Sequence, residues 1–156
     1  MKKKENYKDP NRLAIYQKGK EIYYLVFKIT ELFDTDNDDL RFIKRDLIHN
    51  ASLLSVKVAG VCNIELYDLK MEAATIIRRA ANDLFVQYHS LRMFGFEEAE
   101  YFLIVRELIN EYRLLFIEWV KTFDPWDYSI DRWGLFNPPG VGPFDHDPDD
   151  DIPFDL

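Results

Sequence analysis

Apolar residues recur at three-and-four spacing along four long stretches of the chain, the spacing of one helix face. Over residues 11–33, Ile15, Ile22, Leu25, Ile29 and Leu32 form one stripe, with Asn11 placed to cap the helix start. The same stretch carries a second stripe, Tyr16, Tyr23, Phe27 and Phe33, before the acidic run 34–39 breaks it. A second helix is predicted from an aspartate cap at Asp38 or Asp39 to about Val61, with Gly60 marking its end. Leu40, Ile43, Leu47, Ile48, Ala51, Leu54, Val58 and Cys62 line its face. A third covers residues 66–93, and its stripe of Leu66, Leu69, Ala73, Ile76, Ala80, Leu84, Tyr88 and Leu91 includes alanines small enough for close helix packing. Phe94-Gly95-Phe96 reads as the turn that follows, with Gly95 in the left-handed position. The fourth covers residues 97–122, with acids in its first turn, where the helix dipole favours them. Phe102, Arg106, Ile109, Arg113, Phe116 and Val120 make one of its stripes; Tyr101, Val105, Leu108, Tyr112, Leu115 and Trp119 make the other.

Four helices of roughly 35 Å each, joined by short connections, predict an all-α fold: an up-down antiparallel four-helix bundle. Proline distribution sets its limit. None occurs between Pro10 and Pro125, and six follow from there. A proline inside a helix costs about 3 kcal/mol, so the gap permits long helices and the later segment does not. Three regions result: a basic arm (1–10), the bundle (11–123) and an irregular acidic, aromatic C-terminal tail (124–156). Charge divides at the same boundary. The bundle with its arm holds 19 Lys/Arg and 19 Asp/Glu, whereas the tail holds nine Asp and only Arg132, so the net charge of −8 resides in the tail.

Cys62 is the only cysteine, which excludes an intramolecular disulfide and fits a reducing compartment. The basic start lacks the apolar stretch of a signal peptide, and no apolar run approaches the ~18 residues of a membrane span. A cytoplasmic protein without membrane association is expected.

The candidate chemistry is sparse. Asp34, Asp36 and Asp38 imitate the opening of a calcium loop, but Asp39 and Arg45 stand where that loop needs Gly and Glu, so a solvated turn is expected. His49, His89 and His146 have no partners at metal-ligand spacing, Cys62 lacks a local base, and no glycine-rich phosphate loop occurs. No catalytic residue, metal or cofactor is predicted, and the chain reads as a non-enzyme. Basic residues concentrate in the middle helices, where Arg41, Lys44, Arg45, Lys57, Arg78 and Arg79 are candidate contacts to phosphates or a protein partner. The ordinary alternative is a solvated helix face, with Arg79 pairing to Asp83 at i,i+4.

The doubled stripes on the first and fourth helices exceed what a single bundle buries. They point to a second subunit, with Tyr16, Tyr23, Phe27, Tyr101, Tyr112 and Trp119 as candidate contacts. In the tail, Trp126, Trp133 and Phe136 alternate with Asp and Pro, a pattern unlike that of generic acidic tails, which are poor in aromatics. The tail up to Pro138 is expected to dock on the bundle or a neighbouring subunit, and the Asp-rich end after it to remain solvated.

Ile22-Tyr23-Tyr24-Leu25 in the first helix, the run from Ala51 to Gly60 closing the second, Leu66-Tyr67 opening the third and the run from Glu107 to Val120 in the fourth together form a pattern. Over about residues 13–122 it resembles the bacterial four-helix-bundle family that includes the proteins encoded in intervening sequences of ribosomal RNA genes. The same family includes the accessory variability determinant of diversity-generating retroelements. The resemblance implies a homo-oligomeric barrel, usually a pentamer, and a non-catalytic partner role in which a reverse transcriptase and its RNA or DNA are bound. The family's basic surface would map here onto Arg41, Lys44, Arg45, Lys57, Arg78 and Arg79. The neutral bundle and the −8 tail depart from the clearly basic members of that family. The alternative expectation is an interaction scaffold acting through its acidic aromatic tail, without nucleic acid.

Overall fold

The computed structural model describes residues 7–147. Among them there are four α-helices and no strands: α1 (Ala14–Thr30), α2 (Asp38–Val61), α3 (Tyr67–Met93) and α4 (Phe102–Lys121). α1 packs on both α2 and α4, and α3 likewise touches α2 and α4, so the four make a helical bundle around one apolar core. No helix among the described residues is long and apolar enough to cross a membrane.

Three helix starts differ from expectation, each for a local reason. Residues Pro10–Arg12 form a separate 3-10 turn capped by Asp9, whose carboxylate accepts from the Asn11 N–H at 3.0 Å. Asn11 is therefore spent in that turn, and α1 begins after Leu13 with no side-chain cap. α2 is capped by Asn37 instead of Asp38 or Asp39; its Oδ1 accepts from Leu40 N–H at 3.1 Å. α4 starts only at Phe102, so Glu97, Glu98 and Glu100 lie in the turn before it and not over its first turn. Gly60 lies inside α2, which runs on to Val61, and Gly95 takes φ +83° as anticipated. Phe96 N–H returns to Leu91 O at 3.0 Å, closing the end of α3.

One end of the bundle is tied by side chains. Asn37 Nδ2 donates to Phe94 O at 2.9 Å, joining the start of α2 to the end of α3, and Phe33 meets Phe96 edge-on at 4.8 Å. In the interior, a β-carbon at Gly19 would stand 2.7 Å from the Leu54 carbonyl oxygen, so α1 and α2 touch backbone to backbone. Tyr112 of α4 reaches the same point, its hydroxyl donating to Leu54 O at 2.7 Å. Burial pushes the Tyr112 phenol well above its ordinary pKa, so it remains a donor.

The core draws from both stripes of α4: Phe102 and Ile109 from one, Val105, Tyr112 and Trp119 from the other. Tyr112 and Trp119, expected at a subunit contact, are thus core residues of their own chain. On α1, Val26 fills the face where Leu25 was expected, and Leu32 is exposed beyond the helix end.

Candidate interaction surfaces

The six basic residues do not share one surface. Arg41, Lys44 and Arg45 lie on the first two turns of α2, with Arg41 bonded to Asp38 at 2.6 Å. Lys57 stands about 18 Å beyond Arg45 on the same helix at 1.5 Å per residue. Arg78 and Arg79 are adjacent, and adjacent helical residues point about 100° apart. Arg79 accordingly lines a groove of about 450 Å³ between α2 and α3 with Asp46, His49 and Asp83. Arg78 instead lines the groove between α3 and α4. Arg79 and Asp83 make no ion pair, and among the described residues neither do Lys44, Arg45, Lys57 or Arg78. A basic cluster therefore remains only at the start of α2. Two acids share the Arg79 groove and offset its charge.

The outer faces of α1 and α4 carry apolar side chains on ordered backbone. Tyr23 stacks on Phe27 with ring centres 6.4 Å apart and meets Tyr24 edge-on at 5.7 Å. Tyr24 and Phe27 are exposed, whereas Tyr16 and Tyr23 are half-buried against the core. Lys20 lies over the Tyr16 ring. Tyr101 is exposed just before α4. Sequence reasoning missed Leu103, Ile104, Leu114 and Ile117, all exposed on α4. The spacing of Leu103, Leu114 and Ile117 (i, i+11, i+14) places them on one outer face, a signal hidden by the two stronger stripes.

The tail is built from its own hydrogen bonds. It leaves α4 past Phe123, buried over Lys70, and Tyr67 N–H donates to Asp127 O at 2.8 Å. Lys70 is buried, and that burial lowers its pKa. Asp131 then organises a loop: its Oδ1 accepts from Trp133 N–H at 2.9 Å, and its Oδ2 from Leu135 and Phe136 N–H at 2.7 and 2.8 Å. These donors hold its carboxyl below the usual range. Asn137 clasps Asp131 through both backbone groups, and Gly134 takes φ +76° at the tip.

The segment after Pro138 is not free as expected. Arg132 donates to Pro143 O and Asp145 O, Asp145 Oδ2 accepts from Gly142 N–H, and Asp147 Oδ2 accepts from Ile130 N–H at 3.2 Å. Asp149, Asp150 and Asp151 lie outside the described residues. The loop presents its large side chains to solvent: Trp133 is 91% exposed, Phe144 96% and Trp126 62%. Phe136 is half-buried and, with Trp133 and Leu135, borders a cleft of about 520 Å³ against Asp68, Glu72 and Ile76 of α3.

No protein-family model, curated protein or solved structure matches the chain.

Proposed function

We propose that the chain is a non-enzymatic, cytoplasmic accessory protein that assembles as a homo-oligomer, a pentamer being favoured, and binds a reverse transcriptase. RNA or DNA would be held at the start of α2 by Arg41, Lys44 and Arg45. One observation carries the proposal: large apolar side chains stand exposed on ordered elements, namely Tyr24, Phe27, Leu114 and Ile117 on the helices and Trp133 and Phe144 on the tail loop. Apolar patches of this kind mark interaction sites on soluble proteins. The reverse transcriptase as partner follows from the family resemblance alone. The helices are taken as an up-down antiparallel bundle with an irregular acidic, aromatic tail. The Asn37–Phe94 bond and the contact of Gly19 with Leu54 support that topology, because each joins the beginning of one helix to the far part of its neighbour.

A second reading, a protein scaffold that docks through its tail without nucleic acid, is favoured by the hydrogen-bonded loop that displays Trp133 and Phe144. Both are solvated, so W133A/F144A leaves the fold intact. Binding to a retroelement reverse transcriptase carrying its RNA template, measured against salt, separates the readings. Reversal of Arg41, Lys44 and Arg45 to Glu is expected to lower the salt slope by about 2, at roughly 0.7 per single-strand phosphate contact. Reversal of Arg79 should change little, because Asp46 and Asp83 already share its groove. Binding that ignores the α2 reversal but is lost in W133A/F144A would replace the first reading with the second.

A further inference from the structure

The groove between α2 and α3 that holds Arg79 is polar, and its side chains do not satisfy one another. α2 contributes Asp46, His49 and Asn50, at i, i+3 and i+4 on one helix face. α3 contributes Arg79, Asp83 and Gln87, spaced four apart on one face. Asp46, Arg79 and Asp83 make no ion pair among the described residues, although Arg79 and Asp83 stand at i,i+4. Gln87 Oε1 is closed off from solvent and has no hydrogen-bond partner. Buried polar atoms are nearly always paired, so this exception calls for an explanation. The terminal torsion of a glutamine is soft, so a donor seated in the groove can draw that oxygen round to it.

The charges define the ligand. Two carboxylates and one guanidinium line the groove. Along α3 the order is cation, carboxylate, carbonyl: Asp83 lies about 6 Å and Gln87 about 12 Å beyond Arg79 along the helix axis. Ala80, between Arg79 and Asp83, is small and buried, which leaves space there for an aliphatic stem. The complement of this set is one carboxylate and two cations joined by such a stem. A free basic amino acid, arginine or lysine, carries that set in its α-carboxylate, its α-ammonium and its side-chain cation. A nucleic-acid backbone does not, because both carboxylates oppose its phosphates. A peptide ending in Arg or Lys lacks the α-ammonium. We infer that the α2/α3 groove binds a free basic amino acid. Arg79 holds the ligand carboxylate, Asp46 and Asp83 hold its two cations, and Gln87 Oε1 accepts from the side-chain end. None of these residues belongs to the faces assigned to other subunits or to the basic cluster of α2, so the inference stands apart from both readings of function.

Amide NMR of the full chain, titrated with L-arginine and with L-lysine, tests it. Saturable shifts centred on Asp46, Asn50, Arg79 and Asp83 are expected. Agmatine, which is arginine without its carboxylate, should bind at least about five-fold more weakly than L-arginine. R79Q should weaken L-arginine by a similar factor and leave agmatine at least as tightly bound as in the parent, since a repelling cation is removed. N-acetyl-L-arginine lacks the α-ammonium and should also bind about five-fold more weakly, and D46N/D83N should weaken L-arginine more than the acetylated form. Asp46 and Arg79 are exposed and Asp83→Asn keeps the side-chain shape, so these variants leave the core untouched. The absence of saturable shifts with both amino acids up to about 10 mM overturns the inference. Agmatine that binds as tightly as L-arginine, or R79Q that weakens both alike, overturns the role of Arg79 as the carboxylate partner. A peptide ending in arginine that binds more tightly than free arginine moves the site to a protein C-terminus and overturns the free-ligand form.

Discussion

Tyr112→Ala is expected to destabilise the fold by about 3–5 kcal/mol, the range for emptying a large aromatic site in a core. Tyr112 is 1% exposed and fills the space where α4 meets α1 and α2. Its removal leaves a cavity lined by rigid helix backbone that has little freedom to collapse. At roughly 2–4 °C per kcal/mol for a chain of this size, the melting temperature should fall by about 6–20 °C. Tyr112→Phe separates packing from hydrogen bonding. It keeps the ring and removes only the bond to Leu54 O, so its cost should be about 1 kcal/mol. Thermal unfolding followed by circular dichroism checks both. Equal losses for the two variants would place the weight on the hydroxyl and contradict the packing account.

Gly19→Val should cost about 3 kcal/mol at the same junction. The β-carbon alone would stand 2.7 Å from Leu54 O, 2.8 Å from Leu54 C and 3.0 Å from Ser55 N. These are backbone atoms of a packed helix, so relief requires α1 and α2 to move apart. Overpacking of this sort costs roughly 1–3 kcal/mol, and the branched side chain adds atoms to the clash. Gly19→Ala should be milder, because alanine gains up to about 1 kcal/mol of helix propensity over glycine, which offsets part of the strain. Denaturant unfolding of the two variants gives the order Gly19, Ala, Val in falling stability. An alanine variant more stable than the parent would show that the helices separate at little cost.

Much of the helical content was legible because packing repeats are local. The proline-free stretch and the three-and-four spacing located all four helices, and Gly95 signalled the left-handed turn after α3. Caps were less legible. Asn37, Asp38 and Asp39 can all cap, and the choice fell to Asn37 because its amide also bonds Phe94 across the bundle, a contact with no local sequence signature. The glycines show a similar limit. Gly60 resembled a helix stop but sits within α2, while Gly19 passed unremarked although it sets the distance between two helices.

The candidate surfaces were legible in composition but not in arrangement. Arg78 and Arg79 look like one basic pair in sequence, yet helical rotation sends them to different grooves. Tyr112 and Trp119 belong to a second apolar stripe, but α4 turns both inwards, so the core and not a partner receives them. In the tail, the alternation of Asp and aromatics set it apart from a generic acidic tail. It did not reveal that Asp131 collects three backbone donors, or that Asp145 and Asp147 join the fold instead of staying free.

The central claim is that the exposed apolar faces of α1, α4 and the tail loop are covered by further copies of the chain. Native mass spectrometry at micromolar concentration tests it most directly, since each chain weighs 18.6 kDa. A dominant species at five times that mass is the predicted result, with loss of the assembly in F27E/L114E. A single species at 18.6 kDa across the accessible concentrations would contradict it.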